Sequence, residues 1–135
     1  MASELQVDEL KGVTADGNIT ITSEGGAATM QLQQGVVKAW AQVNGTGTPA
    51  TQDSFNISSL SDQGTGKMLM TCTNGFSAIT SMVTSGGASN GTGSTQGYST
   101  SVFLSASNKY WISAAWGTTI YDVTYMMGQV TGDLA

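Results

Sequence analysis

The chain has 135 residues with nine acids, four lysines, no arginine and no histidine, for a net charge of −5. That is enough length for one domain with a buried core, and the cations are too few and scattered (Lys11, Lys38, Lys67, Lys109) to grip a phosphate backbone. Without histidine the usual base of a hydrolytic triad and the commonest zinc or copper ligand are missing, and a single cysteine allows no internal disulfide and no Cys-x-x-Cys site. No apolar run approaches the roughly 20 residues that span a bilayer, and no signal-peptide pattern opens the chain. The expectation is a protein made in a cytoplasm that is not an enzyme, needs no cofactor or metal, binds no nucleic acid and inserts into no membrane.

Residues 1–17 read differently from the rest. Leu5, Val7, Leu10 and Val13 form a thin apolar set with no partner in so short a segment. Such a segment is either a frayed terminus or an assembly element whose partners lie on a neighbouring chain. Glu4, Asp8, Glu9, Asp16 and Glu24 gather in the N-terminal part of the chain, either to solvate it or to complement a basic docking surface.

From Asn18 onward strand signals recur at short intervals. NITITS and ATMQLQ flank the turn EGGA, and Val36 to Val43 separates by parity, with Val37, Ala39, Ala41 and Val43 opposite Val36, Lys38, Trp40 and Gln42. Trp40 therefore lies on the reverse face of its strand, which predicts a subunit contact that removes it from water. NGTGTPATQDS breaks the pattern with two glycines and the only proline, and Phe55 to Leu60 resumes it. Met68, Met70 and Cys72 alternate with Leu69 and Thr71, so Cys72 reads as a small buried residue, with a reactive or intermolecular thiol as the alternative.

A strand is expected through Phe76 to Val83, followed by a long loop from Thr84 to Gly97 that is either a binding loop or a plain connection. Further strands are expected over Tyr98 to Ala106, Tyr110 to Trp116 and Ile120 to Val130. Eight or more short strands without a helical period argue for an all-β fold, a β-sandwich or jelly-roll-like domain over 18–135 behind an N-terminal docking and oligomerisation segment over 1–17. Seven methionines suggest adaptable packing in the core or between subunits.

Asp53, Asp62, Asp122 and Asp133 lie in loops or near strand ends, where capping of turns is the common role. The glycines of NGTGT, QGTGK and NGTGS lack the following helix of a nucleotide loop. Aromatic residues concentrate in the last third. Sugar rings stack on exposed aromatic faces framed by polar groups, which makes Trp111, Trp116, Tyr110 and Tyr121, with Ser89 and Asn90, candidate ligand-binding residues. The alternative is that they are core and subunit-interface residues. By parity Tyr110 and Trp116 share a face and Trp111 takes the other.

The run KAWAQVNGTGT, then DSFNISS and SDQGTGK, within Val36 to Lys67, resembles the repeated pattern of small tail-fibre and fibre-tip (knob or spike) domains of tailed bacteriophages, many of them marine. The opening SELQVDEL and the closing GDLA are similar to the ends of such chains, whereas Gly75 to about Trp116 departs from the pattern. The resemblance implies a virion structural protein made in a bacterial host, a homotrimer that docks on other virion proteins, tail or capsid, through its N-terminal segment. Leu5, Val7, Leu10, Val13 and Trp40 are then the candidate oligomer contacts. Such a knob binds a host-surface glycan or protein. The shortness of the chain keeps a second expectation open, a capsid decoration or cement protein that stabilises the phage head.

Overall fold

The computed structural model describes residues 4–15, 19–23, 25–26, 28–91, 99–106 and 108–135, with backbone alone over 99–106 and at Gln34. The chain divides into two compact units, Met1–Val36 and Val37–Ala135. The first holds an antiparallel hairpin of β1 (Thr20–Thr22) and β2 (Thr29–Gln31), in which Ile21 faces Met30, followed by one helical turn, Leu32–Gly35. Leu5, Val7, Leu10 and Val13 are all exposed, and no strand or helix covers the described residues 4–15.

The second unit is all-β, with two antiparallel sheets closing on one core. One sheet is ordered β4-β3-β11-β7, from Ala50–Phe55, Val37–Asn44, Tyr125–Gly132 and Met82–Ser89. The other runs β10-β9-β6-β5, from Thr119–Ile120, Lys109–Trp116, Lys67–Cys72 and Ile57–Asp62, with β8 (Ser99–Ala106) also paired to β9. Alternation does the sorting. Ala39, Ala41 and Val43 of β3 and Met126 and Val130 of β11 share the core with Met68, Met70 and Cys72 of β6 and Tyr110, Ile112 and Ala114 of β9. The fold is thus the all-β sandwich expected, and Cys72 is a buried free thiol.

Four positions explain how the layers are joined. Asn56, between β4 of one sheet and β5 of the other, has φ 58°, a left-handed conformation that asparagine tolerates better than most residues. Its amide closes the corner on three sides. Nδ2 donates to the carbonyls of Lys38 at 3.0 Å and Asn74 at 3.1 Å, and Oδ1 accepts from the Asn74 amide at 2.7 Å. The expected strand Phe55 to Leu60 is therefore split in two at Asn56. Gly66, at φ 62°, is pinned between Asp122 Oδ1, which accepts its amide at 2.6 Å, and the Ala114 amide, which donates to its carbonyl at 3.1 Å. A Cβ there would collide with Ile120 and the Tyr121 backbone. At Gly128 a Cβ would lie 2.9 Å from Ile112 Cδ1 and 3.3 Å from Tyr110 Cε2, so β11 lets the ring and the isoleucine of the opposite sheet come against its backbone. Lys38 is the extra residue of a bulge, since Val130 pairs with Ala39 and Thr131 with Val37.

Four expected boundaries need correction. The expected strand Ile120 to Val130 is interrupted, since β10 ends at Ile120 and β11 begins at Tyr125. The break NGTGTPATQDS ends at Pro49, and β4 begins at Ala50. It is an edge strand, where proline before the first residue and a polar run cost little. The expected loop from Thr84 is strand as far as Ser89, because β7 is also an edge strand and its two glycines leave no apolar alternation to read; residues 92–97 of that loop, and Tyr98 at the start of the next expected strand, lie outside the described residues. The expected strand Phe76 to Val83 is an isolated bridge from Phe76 to Leu134 and a 3-10 turn, Ile79–Ser81, ahead of β7. Turn capping by acids and amides is seen at Asp62, which accepts the Gly64 amide at 2.8 Å, and at Asn44, which accepts from Thr46 N at 2.9 Å.

Candidate functional site

The outer face of the four-stranded sheet is a grid set by register. One row places Phe55 beside Trp40, Trp40 beside Gln129 and Gln129 beside Ser85. The next row places Asp53, Gln42, Met127 and Gly87 in the same order. Inward parity takes Ala41, Gly128 and Gly86 at the intervening positions, so the outward side chains are those that alternation leaves over.

Trp40, Gln42, Ser85, Gly87, Met127 and Gln129 line a depression of about 430 Å³, floored by the backbone of Ala41, Gly86 and Gly128. The indole of Trp40 is half-buried and Met127 is exposed, which puts two apolar side chains on one diagonal of the grid and the amides of Gln42 and Gln129 on the other. Gln129 Nε2 donates to Ser85 Oγ at 2.9 Å across the two strands, which orients that amide. No lining side chain is ionisable. Trp40, expected at a subunit contact, thus forms one wall of a surface depression.

The residues expected at a ligand site are dispersed. Tyr110 is completely buried, its ring against Gly128, and takes no part in a surface site; the parity of β9 points it into the core with Ile112 and Ala114. Trp111 is half-buried on the outward side of β9, where it pairs in register with Leu69 of β6. Trp116 ends the same strand about 17 Å further on, 48 % exposed, and Tyr121 past the following hairpin is 41 % exposed. Ser89 and Asn90 close the end of β7 instead. Ser89 Oγ donates to the Gly91 carbonyl at 3.2 Å, and Asn90 Oδ1 accepts from the Thr124 amide at 3.2 Å. These six residues form no common cluster, because the two sheets carry them on different layers and faces.

Ser85, Gly87, Met127 and Gln129 went unread in the sequence. Alternation within YMMGQVTG could have turned Met127 and Gln129 outward, but only strand pairing sets them beside Trp40 and Gln42.

Two titrations are displaced by burial. Burial raises the Cys72 thiol above its ordinary 9.0, and burial, then the neighbouring Cys72, raises the Tyr110 phenol well above its ordinary 10.0. Both groups are neutral core members. Among the described residues no three His, Cys, Asp or Glu side chains gather as a metal site, and none hydrogen-bonds the Tyr110 hydroxyl. No protein-family model, curated protein or solved structure matches the chain.

Proposed function

We propose that the chain is a non-catalytic attachment module of a phage virion, a homotrimeric β-sandwich knob that presents its outer sheet to a glycan or protein of the host surface. The observation that carries this reading is the neutral depression on the β4-β3-β11-β7 sheet, where an indole, a thioether, two amides and a hydroxyl converge without a base to activate that hydroxyl. Such a set recognises and does not transform. The resemblance of Val36 to Lys67 to fibre-tip domains supplies the virion context. The exposed Leu5, Val7, Leu10 and Val13 support assembly through the N-terminal segment, and three weak sites on one trimer gain avidity without new contacts.

Competition tests it. Saturating purified protein should reduce adsorption of the phage that carries it to host cells, and unchanged adsorption overturns the attachment role. Immunogold labelling of intact particles at the tail agrees with display, whereas labelling across the head would favour a capsid decoration protein.

A further inference from the structure

We infer that the depression lined by Trp40, Gln42, Ser85, Gly87, Met127 and Gln129 is a binding site for a neutral hexopyranoside. The inference deepens the attachment reading and rests on it for placing that sugar on a cell surface.

A pyranose is amphipathic in one particular way, with an apolar C–H face and a rim of hydroxyls that both donate and accept. The grid matches both parts. Trp40 offers a flat apolar wall and Met127 an adaptable one, on one diagonal. Gln42 and Gln129 stand on the other diagonal, about 7 Å apart at their origins, and each amide carries a donor and an acceptor. The bond from Gln129 Nε2 to Ser85 Oγ holds that amide before any ligand arrives, which reduces the ordering cost of binding. The volume of about 430 Å³ falls within the range of small-molecule sites.

Gly87 is the telling position. Its backbone is not in the left-handed region, so no turn demands glycine there, and an added Cβ would meet only Met127 Cε at 3.8 Å. Its missing side chain keeps the depression open. Charge selects against acidic sugars. The lining is neutral, and the nearest charges along the strands, Asp53 beside Gln42 and Lys38 two residues from Trp40, are opposite in sign and outside it. A second copy of the chain is the competing occupant, since the exposed Phe55 continues the apolar row past Trp40; the two amides and the hydroxyl are what favour hydroxyl recognition over a subunit contact.

The test uses the full chain, labelled with nitrogen-15 and titrated with methyl α-mannopyranoside, methyl β-galactopyranoside and methyl β-glucopyranoside, with N-acetylneuraminic acid as the acidic comparison. At least one neutral glycoside should shift the Trp40 indole N–H and the Gln42 and Gln129 amide signals, saturating in the millimolar range. Gly87→Leu, which fills the depression from a position that accepts a side chain, should weaken that binding by about tenfold or more, as should Trp40→Ala. The inference is overturned if no neutral glycoside moves those signals up to its solubility limit, if N-acetylneuraminic acid binds more tightly, if Gly87→Leu binds as well as the parent, or if the signals move with protein concentration alone. The adsorption assay separates the two readings. Parent and Gly87→Leu proteins competing equally leaves attachment standing and removes the sugar site; glycoside binding by a parent that does not compete does the reverse.

Discussion

Asn56 shows how much one side chain can hold at a sheet corner. It supplies a left-handed backbone and three hydrogen bonds to two other segments. Asn56→Ala should lower the unfolding free energy by about 2–4 kcal/mol, and Asn56→Gly, which restores the backbone conformation but not the bonds, by less. Urea denaturation of both variants measures the difference, and equal losses would show that the backbone term is negligible. The Tyr110 hydroxyl is the opposite case, buried without a partner among the described residues. Tyr110→Phe should leave stability unchanged or raise it by about 1 kcal/mol; a clear loss would reveal an acceptor. Because the folded state raises the titrations of Cys72 and Tyr110, their contribution is complete below the ordinary thiol value of 9.0 and is lost as pH rises, the unfolded chain ionising first. Melting temperature should hold from neutrality to about pH 8 and fall above pH 9. Cys72→Ala should flatten the first part of that fall, and a parent profile level to pH 10 would contradict the assignment.

At the scale of elements, edge strands and turns separate what could be read from what could not. The central strands β6 and β9 alternate cleanly because one face of each is core, and their inward residues follow from period two alone; β3 does so from Ala39 onward, whereas the bulge buries Lys38 and leaves Val37, expected on the core face, only half-buried. The edge strands β4 and β7 were hidden, since TQDS and TSGG carry the composition of loops and become strands through a neighbour's hydrogen bonds. The groove was hidden for a related reason. Trp40 announced itself as an outward aromatic, but its companions come from strands 40 to 90 residues away in sequence, and register is not written in a single chain. The turn at Gly66 carries a prediction of its own. Gly66→Ala places a methyl against the backbone of Tyr121 in a left-handed conformation, and should cost about 2 kcal/mol or more by denaturant titration.

On the scale of the molecule, every buried hydrophobic residue of the core among the described residues lies at Ala39 or beyond. A chain beginning at Val37 should therefore fold and melt within a few degrees of the full chain. If the N-terminal apolar set carries assembly, the full chain should sediment at three times 13.8 kDa and the shortened chain as a monomer. A full chain that sediments as a monomer removes the trimer, and a shortened chain that fails to fold removes the independence of the sandwich.

At Gly128 the wall between inside and outside is backbone with no side chain of its own. The backbone of Gly128 receives Tyr110 and Ile112 from within and floors the depression from without. A trimmed side chain at Ile112 would let β11 settle inward, deepening the depression without altering any surface residue. The shape of the outer face can thus be retuned from behind, by hydrophobic exchanges that leave its chemistry untouched, and two chains with identical outer residues need not present the same depression.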